Sequence, residues 1–551
     1  MSPTHSIPLI KRLLGSLPAI PEWYESMRAV AGAPAGGYRL PELAAHLPGW
    51  AQAAASQRRV SGSPSRRILV LGYLHWWVEN TAALCLLLAS QGHTVTLAHL
   101  PYRHWWEPIG AFDVRRQRAY LRGLLEGLRP LVEPVDLLGV AAGRLPAELE
   151  HGMADQSRLD VQYTLQREDI GPDDPGAAGQ LFRLRHRRNL QAARQAWSLL
   201  QSTPFNAVIV PNGTILEFGV VNRVAAWLGL PVTTYDFGEQ RDRLWLAQNE
   251  EVMRLPTSDL WQARGSVWLT DDEEAALDRM QVARRGARQW ATFARQWQSQ
   301  QSRGADEARR RLGLDPEKPV ALLCTNVVGD SLALDRQIFT QGMADWLEHT
   351  VRFFADKPDY QLIVRVHPGE LLGAGHPSVD IVQGALPQLP GHVLVISPDE
   401  DINTYDLIGV AHLGLVYTTT VGIEMAMAGV PVIVAGATHY RGKGFTDDPS
   451  SLDDYLRLLA ERMVEPASRR LPADRISLAR RYAYRFFFEY PFPYPWHVIR
   501  FWDDIGERPF ERVVTPAGLE PYRLTLQAMV GEPIDWGERA SVLPVLEAQR
   551  A

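Results

Sequence analysis

Three short stretches of this 551-residue chain gather residue types that bind or move charge. The first reads Tyr417-Thr418-Thr419-Thr420-Val421-Gly422-Ile423-Glu424. Its three hydroxyls stand where a strand-like apolar run, 413–416, gives way to a helix-like one. A helix start carries unpaired N–H groups and partial positive charge, which suits a phosphate. The same threonines serve equally well as a plain helix cap, with Thr419 or Thr420 as the capping residue. Glu424, inside that helix, can accept hydrogen bonds from vicinal ribose hydroxyls or simply be an exposed helical acid. The second stretch is Arg365-Val366-His367-Pro368-Gly369-Glu370, again at a strand end. An imidazole there can donate to a phosphate oxygen or stabilise a leaving group, and Arg365 adds a fixed charge. The third, Thr438-His439-Tyr440-Arg441-Gly442-Lys443-Gly444, follows a run at 430–434. Its glycines permit close backbone approach, while His439, Arg441 and Lys443 give it positive character. A phosphate-bearing nucleotide explains all three stretches more economically than three unrelated structural roles.

The N-terminal half offers acids and aromatics instead. Gly72-Tyr73-Leu74-His75-Trp76-Trp77-Val78-Glu79-Asn80 follows a strand-like run and holds two candidate general bases, His75 and Glu79, beside indole planes. Further candidates are Glu217 and, in Asp236-Phe237-Gly238-Glu239, Glu239. Spacing does not rank them, and each can equally be a capping or surface acid. Several of the 17 tryptophans cluster, at His75-Trp76-Trp77, at His104-Trp105-Trp106 and in the aromatic run 486–496. Such planes pack cores and also stack on sugars.

Two blocks of alternating strands and helices position these residues. In the first, strands are expected at 68–71, 94–98, 206–210 and 232–235, with helices at 80–90 and 216–228. An Arg-rich, mostly helical stretch at 110–205 interrupts it. In the second, strands are expected at 320–324, 361–366, 393–396, 413–416 and 430–434, with helices at 335–355, 403–410 and 421–428. Alternation at this spacing means doubly wound parallel sheets, whose ligands lie outside the carboxyl ends of the strands. The expected organisation is an N-terminal extension (1–65), a first Rossmann-like domain (66–270), a polar linker helix (271–315), a second Rossmann-like domain (316–475) and a C-terminal helical and aromatic segment (476–551) packing back on both. A net charge of −6 argues against a general polyanion binder, though it allows a local basic patch, and no nucleic-acid partner is expected. Two cysteines exclude a disulfide framework and a cysteine-rich zinc module. No apolar run reaches the roughly 20 residues of a membrane span, and the cytoplasm is the expected location. Neither a P-loop nor a G-x-G-x-x-G follows a strand, so ATP hydrolysis and nicotinamide chemistry lack their usual signatures.

From Arg365-Val366-His367-Pro368-Gly369-Glu370, through Asp401-Ile402-Asn403-Thr404-Tyr405-Asp406-Leu407, to Gly442-Lys443-Gly444-Phe445-Thr446, the chain resembles the capsule polysaccharide biosynthesis family. That family includes bacterial surface-glycan glycosyltransferases such as the β-Kdo transferases. The resemblance covers about 85 residues of the second domain. It implies an α/β, GT-B-like fold of two facing Rossmann-like domains with an interdomain cleft. It implies that His367-Pro368 meets the phosphate of a nucleotide-sugar donor, that Thr418-Thr419-Thr420 meets it too, and that Glu424 lies near the nucleoside. In the Kdo-transferring members the donor is CMP-Kdo. Members of this fold usually need no bound metal and no resident cofactor, the nucleotide-sugar being a substrate.

The first expectation is therefore a glycosyltransferase. Its donor side comprises Arg365, His367, Pro368, Thr418, Thr419, Thr420, Gly422, Glu424, His439, Arg441 and Lys443. His75, Glu79 or Glu239 would activate a hydroxyl of a glycan or lipid-linked glycan acceptor. Two alternatives stay open: a nucleotide-sugar 2-epimerase on the same fold, and a non-catalytic glycan-binding component. The basic, aliphatic stretch 7–17 allows a peripheral contact with the inner face of a membrane.

Overall fold

The computed structural model describes residues 9–30, 39–58, 65–171, 173–288, 300–372, 377–464 and 470–539. Within them the apolar runs become strands: β1 (Arg67–Gly72), β2 (Thr94–His99), β3 (Val132–Asp136), β4 (Ala207–Pro211), β5 (Val232–Asp236), β6 (Arg243–Gln248), β7 (Val320–Cys324), β8 (Gln361–Arg365), β9 (Val393–Ile396), β10 (Leu413–Val416), β11 (Val432–Val434) and the two-residue β12 (Phe492–Pro493). Half of them, β4, β7, β8, β10, β11 and β12, are buried end to end, as expected where helices cover both faces of a parallel sheet.

The chain divides into two units. Unit 1 is Met1–Val161, Gly171–Met253 and Phe492–Asp535. Its sheet has the order β12-β6-β5-β4-β1-β2-β3. Strands β1 to β5 pair in parallel, and β6 and β12 add antiparallel edges. The order reverses between β1 and β4, which is the switch point of a Rossmann-like sheet. Unit 2 is Gln162–Ile170, Arg254–Pro491 and Trp536–Ala551. Its sheet, β11-β10-β7-β8-β9, is parallel throughout and reverses between β7 and β10. Its core packs Trp346, Leu347 and Phe354 of the helix Met343–Ala355 and Tyr455 and Leu459 of the helix Leu452–Val464 against Ala321, Leu323, Leu362, Val364 and Leu415.

Several expectations change in detail. The stretch 110–205 is not helical throughout: β3 lies within it and forms the edge of the first sheet. Its proline and acids hide the strand pattern. The helix after β1 spans His75–Ser90, five residues earlier than expected, so His75, Trp76, Trp77 and Glu79 lie in its first turns, not in a loop. The helix expected at 335–355 begins only at Met343. The polar helix begins with a Thr270–Glu273 capping box and runs Asp271–Arg285, a second short helix covers Ala305–Arg311, and 289–299 lies outside the described residues.

Candidate functional site

In unit 2 three loops meet at the carboxyl edge of the sheet, and β7 joins two of them. The hydroxyl of Thr325, the residue after β7, accepts the His367 N–H at 3.0 Å. The next side chain, Asn326 Oδ1, accepts the Thr418 N–H at 3.1 Å. Strands β8 and β10 flank β7, so these loops rise about 10 Å apart, two strand spacings. Thr325 and Asn326 went unread in the sequence because only the ends of β8, β10 and β11 were scanned. The strand-end rule applied to β7 would have found them.

His367 has a fixed tautomer. The Gly369 N–H donates to its Nδ1 at 2.9 Å, so the ring proton sits on Nε2. A Cβ at position 369 would lie 2.9 Å from that Nδ1, so only glycine allows the turn. Burial, with help from Arg365, pushes the imidazole pKa down to about 4. His367 is thus a neutral hydrogen-bond donor at neutral pH. Pro368 opens the 3-10 turn Pro368–Leu372. Buried Glu370 ties that turn down by accepting from the Ser378 hydroxyl at 2.5 Å.

The threonines do not cap the helix Val421–Met427. Thr420 holds the N-cap position without a side-chain cap bond. Thr418 donates its hydroxyl to the Leu332 carbonyl at 3.3 Å. Among the described residues, the hydroxyls of Thr419 and Thr420 form no hydrogen bond with the protein. The Tyr440 hydroxyl grips the Thr419 carbonyl at 2.7 Å, and a Cβ on Gly422 would lie 2.5 Å from that same hydroxyl. Gly422 therefore exists so that the helix can approach Tyr440.

The cationic residues are more committed than their types suggest. Arg365 donates to the Ser397 carbonyl at 2.8 Å, beyond β9. Arg441 donates to the carbonyls of Val434, at 2.7 Å, and Pro449, pinning its own loop. His439 adds no positive charge: burial and the nearby Lys443 lower its pKa to about 3. Its Nδ1 lies 2.7 Å from the Tyr482 hydroxyl, and its ring stacks on Phe486 at 4.2 Å. Lys443 reaches Ser258 Oγ at 3.4 Å. Glu424 is not an exposed helical acid. It is buried and ion-paired with Arg284, whose guanidinium also covers Phe487 at 4.7 Å.

Unit 1 presents a different edge. Leu74, Asn212 and Leu216 have φ of 61°, 58° and 57°, and all three follow β1 or β4 at the switch point. Left-handed backbone in a leucine is strained, and such strain concentrates at functional sites. Beneath these turns lies a buried ion cluster that the sequence did not reveal. Arg185, 0% exposed, pairs with Asp160 at 3.1 Å and Glu217 at 2.7 Å. Asp160 also accepts the Leu216 N–H at 2.6 Å. Glu217, expected as a possible base, is thus a structural anion held well ionised by Arg185 against its own burial.

Arg188 extends that cluster upward. It donates to the carbonyls of His104, Trp105 and Glu107 at 3.0, 3.2 and 2.7 Å, and its guanidinium lies 4.1 Å over the Tyr102 ring. The loop after β2 is therefore rigid, and it holds half-buried His104, Trp105 and Trp106 in mutual ring contact at 4.4–4.6 Å. His75, in T-shaped contact with Trp76, is held neutral by burial and by Arg103 and His104 nearby. Trp77 is not a stacking surface. It is core, packed edge-on against Phe218 and Tyr235. Glu79 is 8% exposed, and burial raises its carboxyl pKa to about 7 against a hydrogen bond from Trp502. Glu239 sits half-buried in the loop after β5. The Asn212 amide donates to Asp236 at 2.7 Å and ties the ends of β4 and β5.

Residues 281–477 match the model of the capsule polysaccharide biosynthesis protein family. No curated protein matches the chain. Among solved structures, the β-Kdo 2,4 transferase KpsC of Thermosulfurimonas dismutans is 17% identical, with 52% of this chain and 81% of that one covered and a TM-score of 0.33. The β-Kdo 2,7 transferase KpsC of the same organism is 16% identical over 54% and 82%, with a TM-score of 0.31. UDP-GlcNAc 2-epimerase from Neisseria meningitidis is 12% identical over 76% and 98%, with a TM-score of 0.27. Each of the two units is an α/β, Rossmann-like doubly wound sheet. The likeness to the capsule polysaccharide biosynthesis protein family thus lies in residues 281–477, within unit 2.

Proposed function

We propose that the protein is a glycosyltransferase that moves a sugar from a nucleotide-sugar donor to a glycan acceptor during surface polysaccharide synthesis. The observation that carries this reading is the edge of the unit 2 sheet. There a neutral imidazole with its proton on Nε2 and two threonine hydroxyls without partners among the described residues stand on either side of β7. These groups suit a phosphate as it gains charge on leaving a sugar. Preorganised donors pay no reorganisation at that moment. A neutral donor also binds phosphate without a proton to lose over the ordinary pH range.

In this reading His367, Thr419 and Thr420 hold the departing phosphate, and no resident cofactor is needed. Arg365, Arg441 and Lys443 set the potential around it from their fixed positions. Glu424 reaches the nucleoside only together with Arg284, as an ion pair. Unit 1 receives the acceptor, with the clamped Trp105 and Trp106 rings as its stacking surface. Glu79 is the best-suited base, because a pKa near 7 lets one carboxyl both accept and return a proton at working pH.

The test is a thermal-shift screen of CMP, UDP and GDP species. A ligand at 100 times its Kd adds about 2.7 kcal/mol to native-state stability. One nucleotide class should raise Tm by several degrees, and His367→Ala should reduce that rise. No shift with any nucleotide overturns the reading.

A further inference from the structure

The stretch 401–406, which the proposed phosphate site leaves unused, clasps the end of the polar helix Asp271–Arg285. Asn403 caps the helix Thr404–Val410, where its Oδ1 accepts the Tyr405 N–H at 2.8 Å. Its Nδ2 donates to the carbonyls of Arg285, at 3.1 Å, and Gln300, at 2.6 Å. Arg285 is the last residue of its helix, where carbonyls lack partners within the helix. The same carbonyl accepts the Ser302 N–H at 3.1 Å. Asp406, three residues on and buried, completes the clasp. One of its oxygens accepts the Arg303 N–H at 2.8 Å. The other accepts the Gly304 N–H at 3.1 Å and the Ser302 hydroxyl. Gly304 has φ +92°, a left-handed turn that helps bring these successive N–H groups onto one carboxylate.

A cap alone does not ask for asparagine, since serine, threonine and aspartate cap as well. Only the carboxamide offers an acceptor to the helix start and two N–H groups to a second partner. Those N–H groups fix the last turn of the helix Asp271–Arg285, and Arg284 stands in that turn. Arg284 pairs with buried Glu424 and lies 4.7 Å over the Phe487 ring. Arg480 holds the same helix nearer its start, through Glu274 at 2.5 Å and Asp278 at 2.8 Å. Its end is left to Asn403, with Asp406 fixing the backbone of 302–304 alongside.

We infer that Asn403 is a positioning residue for nucleotide binding: through the Arg285 carbonyl it sets Arg284, and Arg284 sets the Glu424 carboxylate that meets the nucleoside. The inference rests on the nucleotide reading of unit 2 and divides that site in two. His367, Thr419 and Thr420 hold the phosphate from the strand ends. The Glu424–Arg284 pair holds the nucleoside only while the clasp holds Arg284. Asn403 touches no substrate, so its whole effect passes through a side chain on another helix.

The experiment is a double-mutant cycle on the full chain, Asn403→Ser against Arg284→Gln, with CMP, UDP and GDP titrated calorimetrically. Serine keeps the cap and removes both N–H donors. Asn403→Ser should weaken the nucleotide that binds wild type about tenfold, the worth of one hydrogen bond to a charged group. In the Arg284→Gln background the same substitution should cost less than about twofold, because coupled residues do not add. Unchanged affinity overturns the inference. So does a tenfold loss that persists without Arg284, which would mean general loosening. If wild type binds none of the three nucleotides, the glycosyltransferase reading falls, and urea unfolding of the same four proteins decides the positioning role. Arg284→Gln should then lower the urea midpoint of wild type and leave that of Asn403→Ser nearly unmoved. Equal shifts in both backgrounds overturn the inference.

Discussion

Both sheets reverse strand order at their centre, yet they finish their strands in opposite ways. In unit 2 the turns after β8 and β10 are held by single bonds to Thr325 and Asn326, and among the described residues the hydroxyls of Thr419 and Thr420 stay uncommitted. In unit 1 the turns after β2 and β4 rest on a buried cluster of Arg185, Arg188, Asp160 and Glu217. The first arrangement leaves donors available for a ligand that brings its own charge. The second spends its charge internally to fix a backbone that displays aromatic rings. The difference is what a phosphate and a sugar face respectively ask for. One needs preorganised N–H and O–H groups, the other a rigid plane.

The sharpest way to break this contrast is one substitution made in both units. Arg185→Met leaves the Asp160 and Glu217 carboxylates buried without their cation. It should cost about 3–5 kcal/mol in denaturant unfolding. Arg365→Met removes hydrogen bonds to the Ser397 carbonyl and the Thr404 hydroxyl but strands no anion. Its expected cost is about 1–2 kcal/mol. Equal costs would mean that the unit 1 cluster is no more structural than a single strand-end arginine.

Glu79 separates the units by pH. Its folded-state pKa of about 7 lies above the ordinary carboxyl value of 4.5, so the native state keeps a proton that the unfolded state has lost. Stability then falls as pH rises from about 4.5 to 7, by up to about 3 kcal/mol. Glu79→Gln removes that slope, so the variant gains on wild type at pH 8 and not at pH 4.5. An identical difference at both pH values rejects the buried, protonated carboxyl. If Glu79 is also the base, wild-type kcat/KM rises through pH 7 and the Gln variant loses it.

His367→Ala probes the other edge. Loss of one preorganised donor should lower turnover about 10²-fold while the fold survives. Unchanged kinetics in a folded variant would remove His367 from the phosphate site.

How far these sites were legible follows from how local each signal is. Nine of the twelve strands, all but β3, β6 and β12, the His367-Pro368 turn and the threonine run were readable because apolar runs and the residues just after them are adjacent in sequence. The neutral state of His367 and His439 was not, because burial sets it and no motif records burial. The Arg185 cluster was invisible for the same reason, since its partners stand 25 and 32 residues away on other elements. Trp77 and Trp76 look alike in sequence, yet one is buried against Phe218 and the other is half-buried beside His75, as one helical step dictates. Strand β12, two residues long and some 250 residues after its partner β6, offers no pattern to read.

The smallest effect tests the threonines themselves. A threonine that caps a helix costs roughly 1 kcal/mol when its hydroxyl is removed. Here Thr420 occupies the N-cap without making the bond, and Thr419 finds no partner among the described residues. Thr419→Val and Thr420→Val keep the shape and remove only the hydroxyl. Stability should stay within about 0.5 kcal/mol of wild type, the range of substitutions that break no contact. Affinity for the nucleotide that stabilises wild type should fall about tenfold, the worth of one lost hydrogen bond to a charged group. A stability loss without an affinity loss would return the threonines to plain capping. The edge of unit 2 would then be held together by its own hydroxyls, much as unit 1 is by its arginines.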